Sequence, residues 1–102
     1  MSRDILAIDV GTSALKIGVF GPDLEKRCEA QRSYAPHIYE RGKADIEPET
    51  WWEALRECCE EIAAGLAEVG VVSLSVTTPG LTPMAADGTA LAPAVLFPFV
   101  WC

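Results

Sequence analysis

Apolar positions fall in short blocks separated by turn-forming residues, and each block has a readable period. Residues 5–10 are apolar except at Asp9, the pattern of a strand buried on both faces. Gly11, Thr12 and Ser13 read as a tight turn. Residues 15–20 follow as a second strand, with Leu15, Ile17 and Val19 on one face and Lys16, Gly18 and Phe20 on the other. Gly21, Pro22 and Asp23 mark the next turn, and residues 26–34 predict a third, more polar strand. Turns this short join antiparallel neighbours, so the three strands form a meander.

Residues 35–47 show no period and read as an irregular connection. Pro48 suits the first turn of a helix, where its missing N–H costs nothing, and Glu49 suits the dipole there. Trp52, Leu55, Cys59, Ile62, Leu66 and Val69 recur at spacings of three and four. They predict an amphipathic helix that buries this stripe and ends near Gly70. Arg56, Glu57, Glu60, Glu61 and Glu68 lie off the stripe as solvated charges. Residues 71–76 predict a fourth, almost wholly apolar strand, parallel to an earlier one and central in the sheet because it returns after a helix. Residues 80–85 and 91–96 flank Asp87 and Gly88, a hairpin signal. The order is β-β-β-α-β plus a hairpin, an α/β class, in one domain over residues 1–102.

Composition narrows the partners. Half of the 102 residues are hydrophobic (50%), enough for a folded core, and 15 acidic against 8 basic residues give a formal charge of −7. That balance disfavours nucleic acid and anionic membranes, which need basic patches, yet leaves room for a phosphate held by backbone amides and one lysine. No apolar run approaches the ~20 residues of a membrane helix, and none forms a signal-peptide core. Cys28, Cys58, Cys59 and Cys102 include no C-x-x-C pair, so reduced thiols in a cytoplasmic protein are expected.

Chemistry concentrates in residues 6–16. Asp9 at the end of a buried strand can be a structural turn-former. It can equally belong to a phosphate-binding hairpin. Gly11 lets the backbone approach an anion, Thr12 and Ser13 supply donors, and Lys16 returns a positive charge. Asp9 then holds a magnesium ion through water. The segment is neither a Walker A loop nor a dinucleotide fingerprint, since both glycine patterns are missing.

The run from Asp9 through Gly11, Thr12 and Ser13 to Lys16 resembles the first phosphate motif of the actin/hexokinase/Hsp70 superfamily. Ile46, Glu47, Pro48, Glu49, Thr50, Trp51 and Trp52 resemble the acid-Pro-x-x-Trp-Trp helix start of FGGY carbohydrate kinases, xylulokinase-like members included. Residues 74–81, Asp87-Gly88 and residues 93–96 follow in that family's order. The resemblance implies a ribonuclease-H-like fold and ATP-dependent phosphorylation of a sugar or polyol hydroxyl. It makes Asp9 the magnesium–water ligand and sets Gly11, Thr12, Ser13 and Lys16 on the terminal phosphates of ATP. Thr77, Thr78, Pro79 and Gly80 would face the sugar, although family members of the xylulokinase type carry Gln-Met-His-Gly there. The threonines can instead simply satisfy a strand end.

Trp52 fits the core stripe, Trp51 the core edge, and His37 the surface. After Phe97 the resemblance implies an aspartate and a basic residue, where this chain reads Pro98, Phe99, Val100, Trp101 and Cys102. The catalytic aspartate and the adenosine-binding segment are expected beyond this length, so the chain reads as an incomplete N-terminal domain, inactive alone. An unpaired sheet edge then invites self-association and poor solubility. Two rivals stand beside the kinase. A nuclease of the same fold needs an acid closing the fourth strand, where Thr77 and Thr78 stand instead. A non-catalytic nucleotide-binding or interaction module, or a defunct fragment, needs no further residues.

Overall fold

The computed structural model describes residues 3–39, 44–76 and 80–96. Strands β1 (Asp4–Val10), β2 (Ala14–Phe20) and β3 (Lys26–Ser33) form the expected antiparallel meander. The turn after β2 is closed by Leu24 N–H donating to the Gly21 carbonyl at 2.8 Å and Gly21 N–H donating to Glu25 at 3.0 Å. Asp23 Oδ1 accepts from Glu25 N–H at 3.1 Å. The geometry sets Leu24 at φ 68°, a left-handed conformation that an L side chain tolerates poorly.

Helix α1 (Pro48–Glu61) lies across β2 and β3. Its buried side is Ala54 and Cys58, continued by Ile62, with Trp51, Leu55 and Cys59 half-buried. This corrects the expected stripe: Trp52 is 63% exposed. Adjacent tryptophans and adjacent cysteines fit a 3.6 period in either phase. The phase adopted turns small Ala54 and Cys58 towards the sheet. The helix also stops earlier than expected. A 3₁₀ turn (Ala63–Leu66) follows, in which Gly65 sits against Cys28; a Cβ on Gly65 would lie 2.6 Å from its Sγ. Arg32 on β3 pairs with Glu57 and Glu61, at 3.3 and 2.8 Å, and ties the helix to the meander.

Strand β6 (Val69–Val76) runs parallel to β1, as expected, but the order β3-β2-β1-β6 leaves it at the end of the sheet rather than central. Because α1 covers β2 and β3, Val72, Leu74 and Val76 on β6 remain 61%, 64% and 52% exposed. The nine-residue core lies under α1 and includes Leu6, Ile8, Leu15, Ile17 and Val19. Full burial of side chains such as Leu15 and Val19 contributes about 1.5–3 kcal/mol each.

The irregular connection expected over residues 35–47 holds two short strands, β4 (His37–Ile38) and β5 (Ala44–Ile46). With β7 (Gly80–Leu81) and β8 (Ala94–Leu96) they form a second sheet, ordered β4-β5-β8-β7. The hairpin turn stands at Asp87 and Gly88 as expected, with Gly88 at φ 91° and Asp87 Oδ1 accepting from Thr89 N–H at 2.9 Å. Its ladder is shorter than the sequence suggests, since Pro83 and Pro93 lack the N–H a ladder needs. Ala44, Ile46, Ala94 and Leu96 form a small second core, and Tyr34 packs against both cores.

Candidate functional site

The β1–β2 ladder sets the site. Alternation sends Leu6 and Ile8 towards α1 and Asp9 to the opposite face, where antiparallel register places it across from Lys16. Parallel register sets Ser75 beside Asp9 and Ser73 beside Ala7. Asp9, Lys16, Ser73 and Ser75 thus line one open cavity of about 310 Å³ on the solvent face of the sheet. Asp9 and Lys16 are both exposed.

Above this face, the Gly11–Ser13 turn is closed by Gly11 N–H donating to the Ala14 carbonyl at 2.8 Å. A side chain at Gly11 would place its Cβ 2.8 Å from that same carbonyl oxygen, so glycine is required by contact. Thr12 and Ser13 are exposed at the tip. The structure therefore brings Asp9, Gly11, Thr12, Ser13 and Lys16 to one end of one hairpin. The donor set suits a hydrated magnesium ion at Asp9: a lone exposed carboxylate leaves most of the coordination to water and phosphate oxygens. Among the described residues no group of three histidine, cysteine or acidic side chains gathers to hold a metal by protein ligands alone.

Of the residues assigned to the sugar, Thr77, Thr78 and Pro79 lie outside the described residues. Gly80 opens β7 and pairs with Leu96 of β8. Beside it, Trp51, Trp52, Leu74, Val76 and Leu81 line an apolar cavity of about 400 Å³. Among the described residues it carries no titratable side chain. His37 is exposed, with Nδ1 3.9 Å from Asp45 Oδ1, in keeping with a surface role.

Sequence patterns missed Tyr34, at the end of β3. Its N–H donates to the Ser13 carbonyl at 2.9 Å, and its hydroxyl donates to the Gly11 carbonyl at 2.5 Å. Burial pushes the phenol above its ordinary value, the Trp51 indole pulls the other way, and the Asp9 carboxylate adds to the rise. An aromatic residue closing a polar strand carries no sequence signal for such a role.

The model of the FGGY family of carbohydrate kinases, N-terminal domain, matches residues 4–98. The chain is similar to a glycerol kinase of Methylobacterium nodulans, at 33% identity over 82 residues. That alignment covers 80% of this chain and 16% of the relative, so the chain spans about a sixth of its length. Similarity to a xylulose kinase of an Arthrobacter species is 26% over 93 residues, or 91% of each chain. In fold, it resembles the crystal structure of a xyloylose kinase from Brucella ovis, with a TM-score of 0.84 and 24% identity. That match covers 92% of this chain and 21% of the other. The ribonuclease-H-like α/β architecture expected from the sequence is borne out.

Proposed function

Because this chain belongs to the FGGY family of carbohydrate kinases, to whose N-terminal domain it corresponds, we propose that its β1–β2 hairpin holds the terminal phosphates of ATP. The reaction it serves is transfer of the γ-phosphoryl group to a hydroxyl of a sugar or polyol. The observation that carries this is the convergence of Asp9, Lys16 and the Gly11–Ser13 turn at one hairpin end. Lys16 supplies positive charge to the phosphates, the turn supplies donors, and Asp9 holds magnesium through water. Bound there, magnesium would neutralise charge on the phosphate oxygens during transfer. Removal of the proton from the accepting hydroxyl is left to residues outside this chain. Thr77, Thr78 and Pro79, directly before β7, and Gly80, which opens it, are assigned to the sugar side by their place in the family's order.

Placement in the cytoplasm accords with free Cys28, Cys58 and Cys59, and no described helix is long and apolar enough to cross a membrane. A second, non-catalytic role has one observation in its favour. The apolar β6 strand ends its sheet, so the edge is proposed to pair with a second copy of the chain.

Titration with ATP, with and without magnesium, followed through the backbone amides of residues 11–16, tests the phosphate site. Shifts confined to these amides are expected. Shifts elsewhere, or none, would remove the assignment. A sugar and polyol panel assayed for ATP-dependent phosphorylation, in this chain and in a longer product of its gene, tests the reaction. Turnover by the short chain alone would overturn the division of labour given above.

A further inference from the structure

Tyr34 holds both ends of the Gly11–Ser13 turn, the Ser13 carbonyl with its backbone N–H (2.9 Å) and the Gly11 carbonyl with its phenol (2.5 Å). The ring packs against both hydrophobic cores.

Carbonyl oxygens are what an anion-binding turn must keep away from its ligand. A peptide that rotates its C=O outward replaces attraction by repulsion, and a glycine turn has little steric resistance to that rotation. Bonds from below to the carbonyls of Gly11 and Ser13 oppose it. Resting on the assignment of this turn to the phosphates of ATP, we infer that Tyr34 is the positioning residue of that site. It fixes the turn with its carbonyls turned from the anion. Tyr34 itself touches no phosphate. Its effect is carried by the backbone it holds.

The conservative variant Tyr34→Phe removes the hydroxyl and keeps the ring between the two cores. Loss of one hydrogen bond to the turn should raise amide hydrogen exchange at residues 11–14 about tenfold, with β3 and α1 unchanged. ATP affinity should fall by a similar factor, about tenfold, and the thermal midpoint by no more than the few degrees that one hydrogen bond accounts for. Unchanged exchange at residues 11–14 would overturn the inference and leave the phosphate site standing. Faster exchange throughout the sheet, with a midpoint lowered well beyond that, would also overturn it, since Tyr34 would then be a core residue only. If the turn loosens in the variant while the unaltered chain binds no ATP, the clamp stands and the phosphate assignment fails.

Discussion

Asp9 and Lys16 face each other across the β1–β2 ladder, on the side of the sheet away from α1, and no ion pair joins them among the described residues. An unpaired acid and base at one exposed position do little for the fold and remain available to a charged ligand. Charge-assisted hydrogen bonds are worth about 1.5–3 kcal/mol, so Lys16→Met should weaken ATP binding about ten- to hundredfold. Asp9→Asn should abolish only the part of binding that magnesium adds. Neither should shift the thermal midpoint appreciably, since both side chains are exposed. Calorimetric titration beside a melting curve separates these outcomes. A large loss of stability from Lys16→Met would mean that the lysine serves the fold.

At Gly11, contact rather than charge decides the outcome. The Cβ of Gly11→Ala meets the Ala14 carbonyl oxygen, which itself closes the turn. The variant should open the turn, cost about 1–3 kcal/mol of stability and lose ATP binding. Chemical denaturation gives the first quantity and titration the second. Retained binding would show that the turn can be rebuilt around a side chain.

Leu24 offers the opposite effect. Its left-handed backbone costs about 1–2 kcal/mol in a residue with a Cβ, and its side chain is 72% exposed, so little packing is lost on removal. Leu24→Gly should stabilise the chain by about 1 kcal/mol, several degrees in a domain of this size. A midpoint that falls would place Leu24 in another conformation in solution.

Much of this architecture was legible from period alone. The alternation in residues 15–20 set the face of Lys16, and the apolar run around Asp9 set its partner strand. Helix phase was not, because Trp51 beside Trp52 and Cys58 beside Cys59 satisfy two stripes equally. The choice is settled only where α1 packs on β2 and β3. Strands of two or three residues such as β4 and β5 are too short to show a period. Within the site, Asp9, Gly11 and Lys16 announced themselves by residue type. Tyr34 did not, because its role depends on a contact 23 positions away in the chain.

Alkaline and acid limits follow from buried thiols and capped aspartates. Burial pushes the Cys58 and Cys59 thiols above their ordinary 9.0, with Arg32 opposing at Cys58. The unfolded chain therefore releases these protons first. Their contribution to stability is complete below the ordinary value and is lost as pH rises through the folded one. The melting midpoint should fall above pH 9.0. Cys58→Ala should flatten that fall while lowering stability at neutral pH through the cavity it leaves. On the acid side, backbone N–H groups of Glu25 and Thr89 hold Asp23 and Asp87 below the ordinary carboxylate value. Their contribution is present above that value and is lost as pH falls through the folded one. A midpoint that is flat from neutral to strongly alkaline pH would contradict the burial of Cys58.

The free side of β6 has the largest consequence for handling the chain. Val72, Leu74 and Val76 share one face, all more than half exposed, at the end of a sheet whose next position is open among the described residues. Strand edges of this kind pair with one another, and each apolar residue covered adds about 25 cal/mol per Å². Two copies meeting edge to edge would extend the sheet and set their apolar rows side by side, each partly covering the other. Sedimentation velocity should therefore show association that grows with concentration. Val72→Lys with Leu74→Lys should return the chain to monomer, because edge lysines cannot be buried against a partner without losing hydration. Since both positions are already solvated, the double variant should cost little stability. Association that persists in the lysine variant would move the contact elsewhere, with exposed Ile38 and Leu81 of the second sheet next to be tested.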